Sequence, residues 1–256
     1  MDHDYLVLQE YVLLRTEAVV AVPSDLDPAE AAPLLCAGVT VYNSMRNMDN
    51  VHAGDLVAVQ GIGGLGHLAI QVRSLPASLA RVSQDADLLR AAPLQQYAKA
   101  MGFRVAALSS SDKKRKLALE LGATDYIVGG GDKGSQAEQL TERGGAALIV
   151  CTAPSSEVIH DLISGLAVNG TLLILAITPD DLAIPSMALI QKRLSVRGWP
   201  SGTAFDSEDT LKFAQLSGVK CQIERYPLED AEEAYQEMMA GNTRFRAVLV
   251  PGYKKQ

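Results

Sequence analysis

The sequence is poor in the residues that staple or metallate a fold. It has three cysteines, Cys36, Cys151 and Cys221, widely spaced and odd in number, so they cannot form a disulfide framework and point to a reducing compartment. No Cys-x-x-Cys and no His-x-x-x-His spacing occurs, which leaves no complete metal site in the pattern. Basic residues are in the minority, 23 against 30 acidic ones for a net charge of −7, so neither nucleic acid nor an anionic membrane is expected as a partner. No apolar run approaches the roughly 20 residues that span a bilayer. Met1-Asp2-His3-Asp4 lacks the basic flank of a secretion signal. A cytoplasmic location is the expectation. Internal repeats and low-complexity tracts are also missing. The remainder, 256 residues with 48% hydrophobic and 21% charged, suffices for one large or two modest domains.

The most informative stretch is Asp55 to His67. A short Val-rich apolar run, Leu56-Val57-Ala58-Val59, reads as a buried strand, and it stops at a glycine cluster that opens a Leu/Ala-rich helical segment. Gly61, Gly63 and Gly66 fit G-x-G-x-x-G. The first permits the tight turn, the second lets backbone approach a pyrophosphate, and the third allows close helix-strand packing. The backbone of Gly61, Ile62, Gly63, Gly64, Leu65 and Gly66 is therefore the candidate phosphate cradle, at the positive end of a helix. A glycine triplet can also be a plain turn; the strand before it favours the dinucleotide reading.

The rest of the chain alternates strands and helices. Residues 5 to 22 alternate loosely between apolar and polar and suggest short strands. Asp25 to Glu30 has the marks of a helix start, with a capping Asp and an early Pro, and Ala31 to Met48 suits a tightly packed helix containing Cys36 and Thr40. On its own, Cys36 reads as a small buried hydrophobe. Pro76 and Pro93 interrupt the helix after the glycines. Removing the 25 residues 72 to 96 joins Gln71 to Tyr97 with the apolar stripe in register, and shortens the separation of Gly61 and Ser109 from 48 to 23 positions. That segment is expected to be an insertion in the first crossover helix, or a retained intron. Strands are expected at Gly102–Ser109, Tyr126–Val128, Ala146–Cys151, Thr171–Ile177 and Leu194–Trp199, with a helix at Ser156–Leu166. Intervening helices imply parallel pairing. Thr152, Ala153, Ala176 and Ile177 then fall at strand C-terminal ends, where doubly wound sheets bind ligands. At the second strand's end, Ser109, Ser110, Ser111 and Lys114 replace the acidic ribose reader of NAD enzymes and suit the 2′-phosphate of NADP, although cap residues and a solvated lysine would look alike; Asp112 also fits an N-cap. The last fifty or so residues change character: a helix from Ser207, a strand at Lys220–Tyr226, a helix at Glu229–Ala240 and a strand at Arg244–Val250.

Three stretches together carry a family resemblance: Glu30 to Tyr42 with Leu34-Leu35-Cys36-Ala37-Gly38, Gly61-Ile62-Gly63-Gly64-Leu65-Gly66-His67, and Leu119 to Asp125. They resemble the zinc-containing medium-chain alcohol dehydrogenases. Ser109 to Lys114 is similar to the NADP-preferring cinnamyl-alcohol-dehydrogenase branch, and Trp199-Pro200-Ser201-Gly202 to fungal members. The resemblance implies an α/β Rossmann domain, a doubly wound parallel sheet at 36–205, with parts of a GroES-like catalytic domain at 1–35 and 206–256. It implies hydride transfer between NAD(P)H and a small-molecule alcohol or aldehyde, a zinc cofactor in the full-length family member, and pairing into a homodimer or homotetramer. Carried over by position, Cys36 matches a catalytic zinc ligand, Thr40 the hydroxyl beside the nicotinamide, and Arg246 an arginine near the pyrophosphate; a solvated strand-end arginine is the plainer reading of the last. His67 follows the motif as a helix-start residue. The other catalytic zinc ligands and a four-cysteine site are expected before Tyr5, so the chain reads as incomplete at its front. The alternatives are an NADP-binding remnant without catalysis, or a zinc-free quinone reductase, which the Leu-Leu-Cys-Ala-Gly context disfavours. A short-chain dehydrogenase is disfavoured because no Tyr is followed four residues later by Lys.

Overall fold

A computed structural model describes residues 11–52, 54–73, 104–130 and 134–254. In chain order the principal elements are α1 (Pro28–Ala31), α2 (Ala37–Arg46), β1 (Leu56–Gln60), α3 (Gly66–Arg73), β2 (Arg104–Ser109), α4 (Arg115–Glu120), β3 (Asp125–Val128), α5 (Gln136–Glu142) and β4 (Ala146–Cys151). They continue with α6 (Ser156–Leu162), β5 (Leu166–Ile174), α7 (Ser186–Lys192), β6 (Ser195–Gly198), α8 (Ala204–Ser217), β7 (Ile223–Pro227), α9 (Ala231–Met239) and β8 (Arg246–Val250). The chain divides into two compact units, one of residues 1–39 and 202–256, the other of residues 40–201.

The unit of residues 40–201 holds a six-stranded sheet in the order β3-β2-β1-β4-β5-β6, with every pairing parallel. All five residues of β1 are buried, as expected of a central parallel strand covered by helices on both faces. Leu56, Ala58, Leu108, Ile149 and Cys151 pack on one face with Leu140 of α5 and Ile159 and Leu162 of α6. Ser135 and Glu138 close a capping box that starts α5, and Ser155 caps α6 by accepting from the Val158 amide. Strand order reverses between β1 and β4, which opens a crevice at the C-terminal edge there.

The other unit contains the two-stranded parallel sheet of β7 and β8. Asp27 starts α1 by accepting from the Ala29 amide at 2.8 Å and also pairs with Arg225; these two contacts, the amide first, hold its carboxyl below the usual carboxylate range. Thr203 and Asp206 form the capping box of α8, and Gly218 ends that helix in the left-handed region at φ 71°.

Several expected boundaries change. Among the described residues of the expected 5–22 strands there is no strand, only a 3-10 turn at Thr16–Ala18, and Leu13 is fully exposed. Alternation alone does not make a strand without a partner to take its hydrogen bonds. The expected helix over Ala31–Met48 is broken: Pro33 sits in a 3-10 segment, Ala32–Leu35, and Cys36 at φ −126°, ψ −75° separates it from α2. Cys36 is exposed, not buried as its residue type alone suggested. The strand expected at Thr171–Ile177 starts five residues earlier and stops three earlier. Asn169 at φ 63° and Gly170 form an irregularity within β5, where pairing shifts between Ala146 and Leu148. The last residue of β5, Ile174, pairs with the last of β6, Gly198. The helix expected to Leu166 ends at Leu162 and passes into a 3-10 turn, Ile163–Gly165. Helix α8 begins at Ala204, ahead of Ser207, because Thr203 caps it. Asp112 does not cap; it pairs with Arg115. Val72 and Arg73 continue α3, and the rest of the segment expected as an insertion lies outside the described residues.

Candidate functional site

Three strand tips, those of β1, β2 and β4, converge at the crevice. The turn after β1 begins with Gly61 at φ +87°, a left-handed conformation that disfavours any side chain, and its amide donates to the Leu108 carbonyl at 3.1 Å. A Cβ on Gly61 would lie 2.7 Å from Thr152 Oγ1. One on Gly66 would lie 1.7 Å from the Gly61 carbonyl oxygen, so the third glycine allows α3 to begin directly against the turn. A Cβ on Gly63 would meet no protein atom within 4 Å. The first and third glycines are thus demanded by the fold, whereas the second faces open space.

The carbonyls of this turn are held one after another. The Thr152 hydroxyl is 2.8 Å from the Gln60 carbonyl and 3.3 Å from that of Gly61. Lys114 Nζ donates to Ile62 at 2.6 Å, and the ring of His67 meets the Gly63 carbonyl at 2.7 Å through Nδ1. A carbonyl only accepts, so Nδ1 carries the proton. His67 is completely buried, and its own carbonyl accepts from Gln71 Nε2. Among the described residues, the amides of Ile62, Gly63, Gly64, Leu65 and Gly66 donate no backbone hydrogen bond. A trans peptide sets its N–H opposite its C=O, so these carbonyl contacts orient the amides that follow them. Unsatisfied donors at a helix N-terminus make an anion site.

Beside it, Ser109 closes β2 and its carbonyl accepts from Gln136 Nε2 at 2.8 Å. Ser110 is exposed, and Ser111, half-buried, precedes the 3-10 turn Asp112–Lys114 with its carbonyl accepting from the Tyr126 hydroxyl at 2.6 Å. The Asp112 carboxylate is taken by Arg115, whose guanidinium lies 4.7 Å from the centre of the Tyr126 ring. On the other side of β1, Thr152 and Ala153 follow β4. Ala176 and Ile177 lie two and three residues past the end of β5, where the Leu175 amide still donates to Cys151; Ile177 is 93% exposed. The sequence-derived residues Gly61–Gly66, Ser109–Ser111, Lys114 and Thr152 therefore share one edge of one sheet. Thr40 lies on α2 of the same unit, whereas Cys36 and Arg246 belong to the other unit. Arg246 opens β8, and its Nε is buried without a hydrogen-bond partner. The ties made by Thr152 and His67 were not read from the sequence. Their signals are slight: a hydroxyl one residue past a strand, and a histidine four residues after the second glycine, one helical turn on.

A family profile described as "Zinc-binding dehydrogenase" matches residues 94–218. An alcohol dehydrogenase, notN, from Aspergillus sp. (strain MF297-2) is 43% identical over 240 residues, which cover 94% of this chain and 62% of that one. Residues 94–218 thus match a zinc-binding dehydrogenase domain, and the chain around them is similar to alcohol dehydrogenases. Among solved structures, the cinnamyl alcohol dehydrogenase SbCAD4 from Sorghum bicolor superposes with a TM-score of 0.73 at 28% identity, covering 94% of this chain and 61% of that one. CAD from Helicobacter pylori complexed with NADP(H) shares the fold at a TM-score of 0.66 and 22% identity, covering 90% of this chain and 57% of that one. These likenesses agree with the α/β Rossmann sheet seen here. The chain spans about three fifths of the length of such relatives.

Zinc finds no assembled site among the described residues of this chain. No group of three His, Cys, Asp or Glu side chains among them is arranged to hold a metal ion. Cys36 is exposed and stands outside any such group. Burial pushes the Cys151 thiol up and the Cys221 thiol up to about 11, so both stay protonated at neutral pH and are poor ligands or nucleophiles. The described residues also include no helix long and apolar enough to cross a membrane.

Proposed function

We propose that this chain is the nucleotide-binding part of an alcohol dehydrogenase that uses a nicotinamide dinucleotide, with NADP preferred, and acts on a small-molecule alcohol or aldehyde. The observation that carries the reading is the row of amides from Ile62 to Gly66, which donate no backbone hydrogen bond among the described residues and are fronted by open space at Gly63. A diphosphate fits there: it needs several N–H donors at close approach and a positive helix end. The nicotinamide, when bound, supplies or accepts the hydride. This chain's own residues bind and orient it: Gly61 to Gly66 around the diphosphate, Ser109 to Ser111 and Lys114 around the ribose, Thr152, Ala153, Ala176 and Ile177 toward the nicotinamide side, and Thr40 and Arg246 by resemblance.

The NADP preference rests on Asp112. An acidic side chain at this strand end would favour the ribose hydroxyls of NAD, but its carboxylate is neutralised by Arg115, which leaves three serines and Lys114 at the tip. The proposed organisation follows the family: a nucleotide domain at 36–205 and catalytic-domain segments at 1–35 and 206–256, in a cytoplasmic protein. Pairing into a homodimer or homotetramer through β6 is part of the reading, since β6 ends the sheet and Met187 and Ile190 of α7, 64% and 74% exposed, precede it.

Calorimetric titration of the purified chain with NADPH and NADH tests this. Saturable uptake of both, tighter for NADPH, is expected; no saturable uptake of either refutes it. One observation favours a second reading. Cys36 stands outside any three-ligand group among the described residues, so the polypeptide would bind NADPH without itself turning over alcohol. An alcohol oxidation assay with added zinc separates the two.

A further inference from the structure

Lys114 occupies the place that spacing assigns to the ribose phosphate, yet its ammonium donates to the Ile62 carbonyl at 2.6 Å, across 52 residues of chain. Ile62 is 3% exposed and Lys114 is half-buried, so water competes poorly for this bond. The bond runs from a charged donor to a neutral carbonyl, a strong class of hydrogen bond, and it leaves the charge on the ammonium. Fixing the Ile62 carbonyl also fixes the Gly63 N–H on the opposite side of the same peptide unit. A Cβ on Gly63 would touch nothing, and glycine has the widest backbone freedom, so the turn needs an outside hold here. Thr152 reaches the turn from the tip of β4 and His67 from within α3; Lys114 reaches it from the side of β2.

We infer that Lys114 is a positioning residue for the diphosphate turn, in addition to any contact with a ribose phosphate. It contributes to binding of both dinucleotides and couples the tip of β2 to the turn after β1. The inference rests on the dinucleotide reading above. It separates two roles that the sequence pattern merges. A residue that only reads the 2′-phosphate is indifferent to NADH, whereas one that also orients the Gly63 amide is not.

The experiment compares the full chain with Lys114→Met and Lys114→Arg, titrating each with NADH and NADPH. Lys114→Gln replaces Lys114→Met if the latter does not fold. Loss of a charged hydrogen bond weakens NADH by about tenfold in Lys114→Met, and NADPH by more. Lys114→Arg, which retains a charged donor, recovers most of the NADH affinity. NADH affinity unchanged in Lys114→Met, with NADPH weakened, overturns the inference. A second readout needs no ligand: amide hydrogen exchange in a peptide covering residues 61–66 accelerates in Lys114→Met while a peptide covering β4 is unchanged. Equal exchange in both chains overturns the positioning role. If the wild-type chain takes up neither dinucleotide, the dinucleotide reading fails, and the exchange comparison still decides whether Lys114 holds the turn.

Discussion

At the tip of β1 the carbonyls of Gln60, Gly61, Ile62 and Gly63 are each met by a side chain, whereas past β5 the chain leaves the sheet after Ile174 and Ile177 stands 93% exposed. Both stretches lie on the C-terminal edge of one parallel sheet, and both are proposed to meet the same ligand. The first is organised before any ligand arrives, so little of its binding free energy goes into ordering backbone. The second offers small or apolar side chains and few fixed contacts. A dinucleotide would therefore gain its anchoring at the glycine turn, and substitutions should hurt there in proportion to how rigidly each atom is held.

Gly66→Ala should break the contrast most severely. The added Cβ would lie 1.7 Å from the Gly61 carbonyl oxygen, a collision of backbone with side chain that no rotamer relieves. Separating α3 from the turn costs about 3 kcal/mol of stability by the usual scale of overpacking, and dinucleotide uptake should fall below detection in calorimetry. Gly61→Ala comes next. Its φ of +87° costs an alanine about 1–2 kcal/mol, and the new methyl meets Thr152 Oγ1 at 2.7 Å. Chemical denaturation of Gly61→Ala, Thr152→Ala and the double variant should give a double cost smaller than the sum, because removing the hydroxyl relieves the collision but not the φ strain. A strictly additive cycle would show that Thr152 already moves aside.

A milder change sharpens the comparison at the tip of β2. Ser110 is exposed and borders the proposed 2′-phosphate position, so Ser110→Asp should leave the fold intact and reverse the cofactor order. NADPH should weaken by about tenfold through like-charge repulsion, and NADH should be unchanged or improved. Weakening of both by the same factor would mean that the serines lie outside the ribose site.

How far the sequence foretold this depends on what kind of signal each element left. The central strands were legible to within a residue or two, Ala146–Cys151 matching at both ends, because residues buried on both faces of a parallel sheet form unbroken apolar runs. Asn169 and Gly170 misled, since turn residues inside a strand also mark an irregularity, and only the pairing partner distinguishes the two. Residues 11–22 misled in the opposite direction, with an alternation that no neighbouring strand takes up. In the site, the glycines could be read because their conformations exclude other residues. Lys114 was read for its charge and missed for its bond to Ile62, which spans 52 positions and has no local signature. Cys36 was assigned by resemblance, and no three-ligand metal group is found among the described residues.

The smallest effect belongs at Ile177, and it tests what sort of contact that stretch makes. A side chain 93% exposed contributes little packing, so Ile177→Ala should change stability by less than about 0.5 kcal/mol and dinucleotide affinity by less than about twofold. If the residue serves the cofactor, it must do so through its backbone, because a side chain directed to solvent cannot select a carboxamide. Ile177→Pro separates these cases by deleting the N–H while leaving an apolar ring. A loss of several-fold in affinity for both NADH and NADPH in the proline variant, with the alanine variant unaffected, would place a backbone donor at the loosely held end. A loss in the alanine variant instead would mean that the exposed side chain itself closes over the ligand, and the contrast between the two ends of the edge would then hold only for the empty protein.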